Sequence, residues 1–276
     1  MTLKYRAGLP ATPELEHLRG LVAEGVKRFP RHEGVSIAYQ EHGGIRCLSL
    51  TPESVKANLL YFHGGGFRIG SPELSAGFAS YLAAQSQCRI ILPFYSLAPE
   101  HPFPAALLDG QRILESLLIG QPLFIGGDSA GGNLAAVLAR RFSKTITAVI
   151  LLSPWLDLRL KSKSYAINAD DDKVFSLAAA KNSADSYLQG HEADDPNVSP
   201  VVGGLTDMPA SLIIVGSKEV LLHDSLTYAE QLKAAAAKVN LHIIPDMAHV
   251  EPTTNPDKAC TEQALSLAAG FISDLL

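Results

Sequence analysis

Short apolar runs alternate along the chain with longer segments whose apolar residues recur at helical spacing. The short runs are Val35–Gln40, Ile45–Leu50, Ala57–Phe62, Cys88–Phe94, Pro122–Gly126, Ala148–Leu152, Leu212–Gly216 and Leu241–Pro245. Each is rich in Ile, Val, Leu or Phe, and most stop at Gly, Pro or Asn, which is the pattern of strands. The later runs are continuously hydrophobic, as parallel strands covered on both faces are. The helical segments are Leu74–Gln87, Ala105–Leu118, Ala130–Arg141, Leu221–Lys238 and Lys258–Leu275. Strands alternating with helices predict a doubly wound α/β sheet. Only His42–Gly44 separates the first two strands, so an antiparallel hairpin is expected at one edge.

One stretch breaks the rhythm. From about Leu158 to Pro200 there is no strand signal. Its polar tract Asn168–Lys173 holds Ala169, Asp170, Asp171 and Asp172, and Phe175–Leu188 then reads as a helix. This predicts an insertion packed over the C-terminal edge of the sheet. Thr12–Phe29 is a further helix outside the alternation, with Thr12-Pro13 at its start. The two segments, about 1–30 and 158–200, are expected to form a helical cap on a single domain spanning 1–276.

Composition narrows the class. A chain of 276 residues with 47% hydrophobic content buries a large core. Lys and Arg total 23 against 28 Asp and Glu, a formal charge of −5, and there is no five-residue basic run. Such a surface has no general attraction for nucleic acid or anionic lipid. The three cysteines, Cys47, Cys88 and Cys260, include no CxxC pair, which argues against a disulfide framework and a structural zinc site. No apolar stretch approaches the roughly 18 residues of a membrane span. The opening MTLKYRAGLPATPELEHLRG lacks a signal-peptide apolar core, so a cytoplasmic protein is expected.

The chemistry starts at Gly126-Gly127-Asp128-Ser129-Ala130-Gly131-Gly132. This is GxSxG after a strand and opening a helix, the setting in which the serine oxygen is thrust out of a strained turn. Gly127 and Gly131 flank it because a Cβ on either side would clash with a neighbouring element. The starting helix adds the positive end of its dipole. Neither a Lys-Ser or Lys-Thr pair nor GxGxxG spacing is present, which argues against a phosphate loop.

A second motif, His63-Gly64-Gly65-Gly66-Phe67, directly follows the strand Ala57–Phe62. Three glycines in a row are costly in chain entropy and make sense where bare N–H groups must reach a ligand. Donors fixed on a developing oxyanion contribute about 3–4 kcal/mol each in comparable sites. The N–H of Ala130 is positioned to add another. The two motifs together, each at a strand end, are far more specific than either alone.

A serine hydroxyl needs a base. Of nine histidines, His249 lies in the loop after the last strand, where the chain order serine, acid, histidine requires it. His242 falls inside the last strand, and His63 braces the glycine loop. The acid belongs after Leu212–Gly216, where Glu219 is favoured over Asp224. Asp224 falls inside the following helix, where an exposed carboxylate is expected.

These blocks resemble the hormone-sensitive-lipase-like esterases, the bacterial family IV of lipolytic α/β-hydrolases. The matching text is HGGGF at His63–Phe67, YSLAPEHPFPAAL at Tyr95–Leu107, GGDSAGGNLA at Gly126–Ala135, SPWLDL at Ser153–Leu158, DPNVSP at Asp195–Pro200 and HV at His249–Val250. The resemblance implies an α/β-hydrolase fold with an eight-stranded, mostly parallel sheet and a helical cap. It implies ester hydrolysis through an acyl-serine with no cofactor and no metal. It assigns Ser129, Glu219 and His249 as catalytic, and Gly65, Gly66 and Ala130 as oxyanion donors, with Gly64 shaping the turn. The usual family acid is Asp, whereas Glu219 is one methylene longer, so its loop must sit back.

GSxEVLL at the acid loop also resembles monoterpene lactone hydrolases, which makes a lactone the alternative to an ester substrate. An amidase or deformylase would share the same machinery. Plant gibberellin receptors resemble the family but lack the histidine, and His249 argues against a pure receptor. A compact pocket for short acyl chains is expected, with Phe67 and Trp155 as substrate-contacting walls and Phe175 and Tyr187 beside them. The resemblance further implies a homodimer paired through the last strand and its neighbouring helix.

Overall fold

The computed structural model describes residues 3–25, 29–118 and 120–276. The elements run α1 Pro13–Gly25, β1 Val35–His42, β2 Ile45–Pro52, β3 Ala57–Phe62, α2 Pro72–Ser86, β4 Cys88–Pro93, α3 Ala105–Leu117, β5 Leu123–Asp128, α4 Ala130–Arg141, β6 Ala148–Leu152, α5 Ser164–Ile167, α6 Leu177–Leu188, β7 Ala210–Gly216, α7 Leu222–Ala234, β8 Val239–Ile244, α8 Glu251–Thr254 and α9 Ala259–Ser273. Residues 26–28 of the expected Thr12–Phe29 helix lie outside the described residues.

The eight strands form one sheet in the order β1-β2-β4-β3-β5-β6-β7-β8. β1 and β2 make the expected hairpin, β2 pairs antiparallel with β4, and every later pairing is parallel. The period of two along a strand divides the core into two layers. In β3, Leu59 and Tyr61 face a layer containing Ala76, Leu82, Leu265 and Ile272 of α2 and α9. Leu60 and Phe62 face the opposite layer with Leu107, Leu134, Val137 and Leu232 of α3, α4 and α7. Burial on both faces is why these strands read as unbroken hydrophobic runs.

The parallel strands set the position of the site. β3, β5, β7 and β8 run the same way, so the loops leaving their C-terminal ends share one edge of the sheet. That edge is where α/β sheets bind ligands. It carries His63–Phe67 after β3, Ser129 after β5, Glu219 after β7 and His249 after β8. Short α5 and α6, between β6 and β7, belong to the inserted stretch. The N-terminal segment is tied beside them: Arg6 Nε donates to the Phe103 carbonyl at 2.7 Å, and Arg19 pairs with Glu100 at 2.6 Å. Among the described residues no helix is long and apolar enough to cross a membrane.

Candidate active site

Ser129 links the end of β5 to the start of α4 and holds φ 53° and ψ −118°. A non-glycine residue with this backbone is strained and persists only where its surroundings impose it. Here they do. The Ser129 N–H donates to the Leu152 carbonyl of β6 at 3.0 Å, and its own carbonyl accepts from the Trp155 N–H at 3.0 Å. A Cβ on Gly131 would lie 2.1 Å from the Phe62 carbonyl oxygen, and one on Gly127 would lie 2.5 Å from the Gly131 backbone. The turn therefore closes only with glycine at both flanks.

His249 Nε2 lies 3.0 Å from Ser129 Oγ, and His249 Nδ1 lies 2.8 Å from Glu219 Oε2. A carboxylate only accepts, so Nδ1 carries the proton and Nε2 presents its lone pair to the serine hydroxyl. All three side chains are buried. Burial alone would lower the imidazole pKa. The hydrogen bond and charge of Glu219 outweigh it, with smaller pulls from Asp172 and Asp128, and the pKa is raised above its ordinary value.

Glu219 is itself held at its other oxygen. Oε1 accepts from the Gly216 N–H at 2.6 Å and from Ser153 Oγ at 2.7 Å. A Cβ on Gly216 would sit 3.0 Å from that oxygen and 2.1 Å from the Met247 carbonyl, so the glycine makes room for the longer acid. Ser153 was not singled out in the sequence, although it opens the SPWLDL block. Its left-handed backbone, φ 47°, turns it under the carboxylate.

Asp224 lies elsewhere. It is buried, not exposed as expected of a carboxylate on that helix, because the first turn of α7 folds it beneath the 156–162 loop. There it accepts from the N–H groups of Leu156 at 2.8 Å and Asp157 at 3.0 Å, and from Ser162 Oγ. Burial pushes its pKa up to about 7.

The glycine loop reaches the same cavity. Gly65 and Gly66 have φ of +117° and +60°, and a Cβ on Gly65 would lie 2.1 Å from the Ile69 carbonyl oxygen. Among the described residues, no hydrogen bond within the protein engages the N–H of Gly65, Gly66 or Ala130. The His63 ring is buried, and its pKa is pushed down to about 4 by that burial despite the Gly64 contact. Its Nδ1–H donates to the Gly64 carbonyl at 2.7 Å, and it stacks on Tyr95 at 4.4 Å. Asp128 is buried under the loop, and a Cβ on Gly64 would meet its carboxylate at 2.3 Å. Burial raises the Asp128 pKa to about 6.

A cavity of 370 Å³ opens over Ser129 and His249, with Gly64, Gly65, Gly66, Arg68 and Phe175 on its wall. Phe67 and Trp155, expected there, are not lining residues and are fully buried. The Phe67 ring stacks on Tyr187 at 3.8 Å because the left-handed turn at φ 62° sends it inward. Trp155 packs between Phe67 and Phe175, and Phe175 faces the His249 ring at 5.3 Å. These aromatics support the cavity from beneath, and of the four Phe175 alone reaches its surface.

Two further side chains fix the acid loop. Asn168 donates from its amide to the carbonyls of Ser217 at 3.1 Å and Glu219 at 2.8 Å. Asp172 accepts from the N–H groups of Val220 at 2.9 Å, Val174 at 3.0 Å and Phe175 at 2.9 Å. The polar tract thus joins the insertion to both the acid and the aromatic against the imidazole.

Residues 59–252 match the family with the α/β-hydrolase fold, and the chain belongs to that family. It is 32% identical over 268 residues to an esterase of Acinetobacter venetianus, covering 94% of this chain and 88% of that one. It is also 32% identical over 222 residues to an acetyl-hydrolase of Streptomyces hygroscopicus, covering 78% and 74%. A crystal structure of a hormone-sensitive lipase from a metagenome library superposes with a TM-score of 0.91 at 33% identity, covering 96% of this chain and 93% of that chain. The resemblance drawn from the motifs therefore extends to the whole fold.

Proposed function

We propose that this protein is a serine carboxylesterase that hydrolyses short-to-medium acyl esters, with Ser129 as nucleophile, His249 as base and Glu219 as the acid orienting it. The observation that carries the reading is the continuous relay from Ser129 Oγ through both imidazole nitrogens to Glu219, at 3.0 and 2.8 Å. In acylation Nε2 takes the serine proton as Oγ attacks the ester carbon. The N–H groups of Gly65, Gly66 and Ala130 receive the oxyanion. The imidazolium then gives its proton to the departing alcohol. Water attacks the acyl-serine by the same route in reverse roles, and the acid product leaves. Helix α1 and the 158–200 insertion serve as the cap over this cavity.

The preference for shorter acyl chains rests on volume. A cavity of 370 Å³ lies near the lower end of the roughly 300–1,000 Å³ usual for ligand sites. The similarity to an acetyl-hydrolase of Streptomyces hygroscopicus points the same way. The test is a series of 4-nitrophenyl esters from acetate to palmitate, run with wild type and Ser129→Ala. Turnover should peak below the decanoate and vanish in the variant. A peak at palmitate, or full activity in Ser129→Ala, would overturn the reading.

A further inference from the structure

The wall of the catalytic cavity is mostly apolar, with Leu18, Val22, Ile69, Leu74, Val174 and Phe175 facing in. Among the described residues Arg68 is the one Arg or Lys that lines it. It also lines a second cavity of 240 Å³ on its far side, and it shares that dividing position with Leu18. A guanidinium placed in such a wall normally has a carboxylate partner, because a partly desolvated charge is costly without one.

Among the described residues Arg68 has no carboxylate within ion-pair distance. The nearby acids of the cap are engaged by another cation: Arg19 binds Glu100 at 2.6 Å and Glu16 at 3.1 Å. Asp128, the carboxylate of the catalytic cavity, is buried beside Ser75 at 3.4 Å. The Arg68 side-chain bond to the protein runs from Nη1 to the neutral Asn182 amide oxygen at 2.8 Å. Its Nε is buried and has no hydrogen-bond partner among the described residues. The charge is thus without a carboxylate partner and one donor without an acceptor, on a side chain that lies between the Ser129 cavity and the second cavity, which Asn182 lines. A carboxylate, planar and doubly accepting, matches a guanidinium in charge and shape.

We propose that Arg68 is a specificity residue that receives a carboxylate of the substrate. The preferred esters then carry a free acid group a few bonds from the scissile carbonyl, as half-esters of short dicarboxylic acids or acyl esters of hydroxy acids do. This deepens the esterase reading and rests on it.

The test compares charged and neutral esters of matched size by pH-stat. Monomethyl glutarate against dimethyl glutarate puts the carboxylate on the acyl side. 4-Acetoxybutyrate against butyl acetate puts it on the alcohol side. In at least one pair, wild type should turn over the charged ester with kcat/KM no lower than the neutral one. Arg68→Met should then lower the charged-to-neutral ratio by about tenfold or more, chiefly through KM. Arg68→Lys should restore part of it. Asn182→Ala removes the tether and keeps the charge, so it should leave the ratio within about twofold. A ratio unmoved in both pairs by Arg68→Met would overturn the proposal while leaving the esterase reading intact. An equal fall in Asn182→Ala would reduce Arg68 to a structural tether. Failure of wild type on every ester would remove both readings together.

Discussion

A serine held at φ 53° carries strain of about 1–3 kcal/mol, which the surrounding fold must supply. What that strain secures is the 3.0 Å approach of Oγ to His249. Ser129→Ala should therefore cost about 10⁶-fold in kcat with the fold intact, measured by turnover and circular dichroism. The carboxylates separate by role. Glu219→Ala should lower kcat by about 10⁴-fold, because the imidazole loses its tautomer and its aim. The pH profile has a definite sign. The proposed mechanism needs neutral His249, whose pKa is raised, so kcat/KM should fall as pH drops through an apparent pKa above 6.5. Glu219→Gln should move that acid limb downward, since it removes the charge that opposes burial. Asp224 has the other kind of role. Its folded pKa of about 7 lies above the ordinary 3.8. Its contribution to stability is thus complete below 3.8 and lost as pH rises to about 7. The stability of wild type relative to Asp224→Asn, measured by urea unfolding, should decline across that window. A flat difference would contradict the buried titration.

At the scale of elements, the insertion supports the loop that carries Glu219. Asn168 and Asp172 hold Ser217, Glu219 and Val220 from one side and Phe175 from the other. Asp172→Ala removes three accepted N–H bonds at once. It should lower kcat by about tenfold to a hundredfold and shift the acid limb of kcat/KM downward, since Asp172 also helps raise the His249 pKa. A loss of melting temperature with an unmoved acid limb would make its role structural only. None of this was legible in the sequence, where Asn168–Lys173 read as a polar tract: composition reports that a segment is polar, not what it binds. The same limit explains Phe67 and Trp155. Position beside the glycine loop for Phe67, and after its strand for Trp155, suggests pocket walls, but the left-handed turn at Phe67 reverses its direction. Helices α5 and α8, four residues each, are too short to show a period. The long elements and the two glycine motifs were legible because burial on two faces and sub-3 Å backbone contacts leave few alternatives to Ile, Val, Leu and Gly.

For the molecule as a whole, the catalytic cavity has a rigid floor and a wall drawn from a more loosely held part. The floor consists of loops leaving strands buried on both faces. Part of the wall, Leu18 and Val22, belongs to α1. This helix precedes the sheet in sequence and exposes Leu18 and Leu21 at 38% and 53%. Its inward anchor is Leu15, at 6% exposure, together with the bonds of Arg19 to Glu100, Ala98 and Arg68. Segments with few buried apolar contacts open at free energies well below global unfolding. Backbone amides of 13–25 should therefore exchange with solvent faster than those of β3, β5 and β6. An occupant of the cavity packs against Leu18 and Val22, and a ligand that contacts only the closed arrangement shifts the population toward it. Covalent loading of Ser129 with a dialkyl phosphate from paraoxon should slow exchange in 13–25 as well as in the 64–69 loop. Hydrogen-exchange mass spectrometry of the free and phosphorylated protein reads both segments in one experiment. Protection confined to 64–69 would mean that α1 stands apart from the bound ligand, and that the cavity is complete without it.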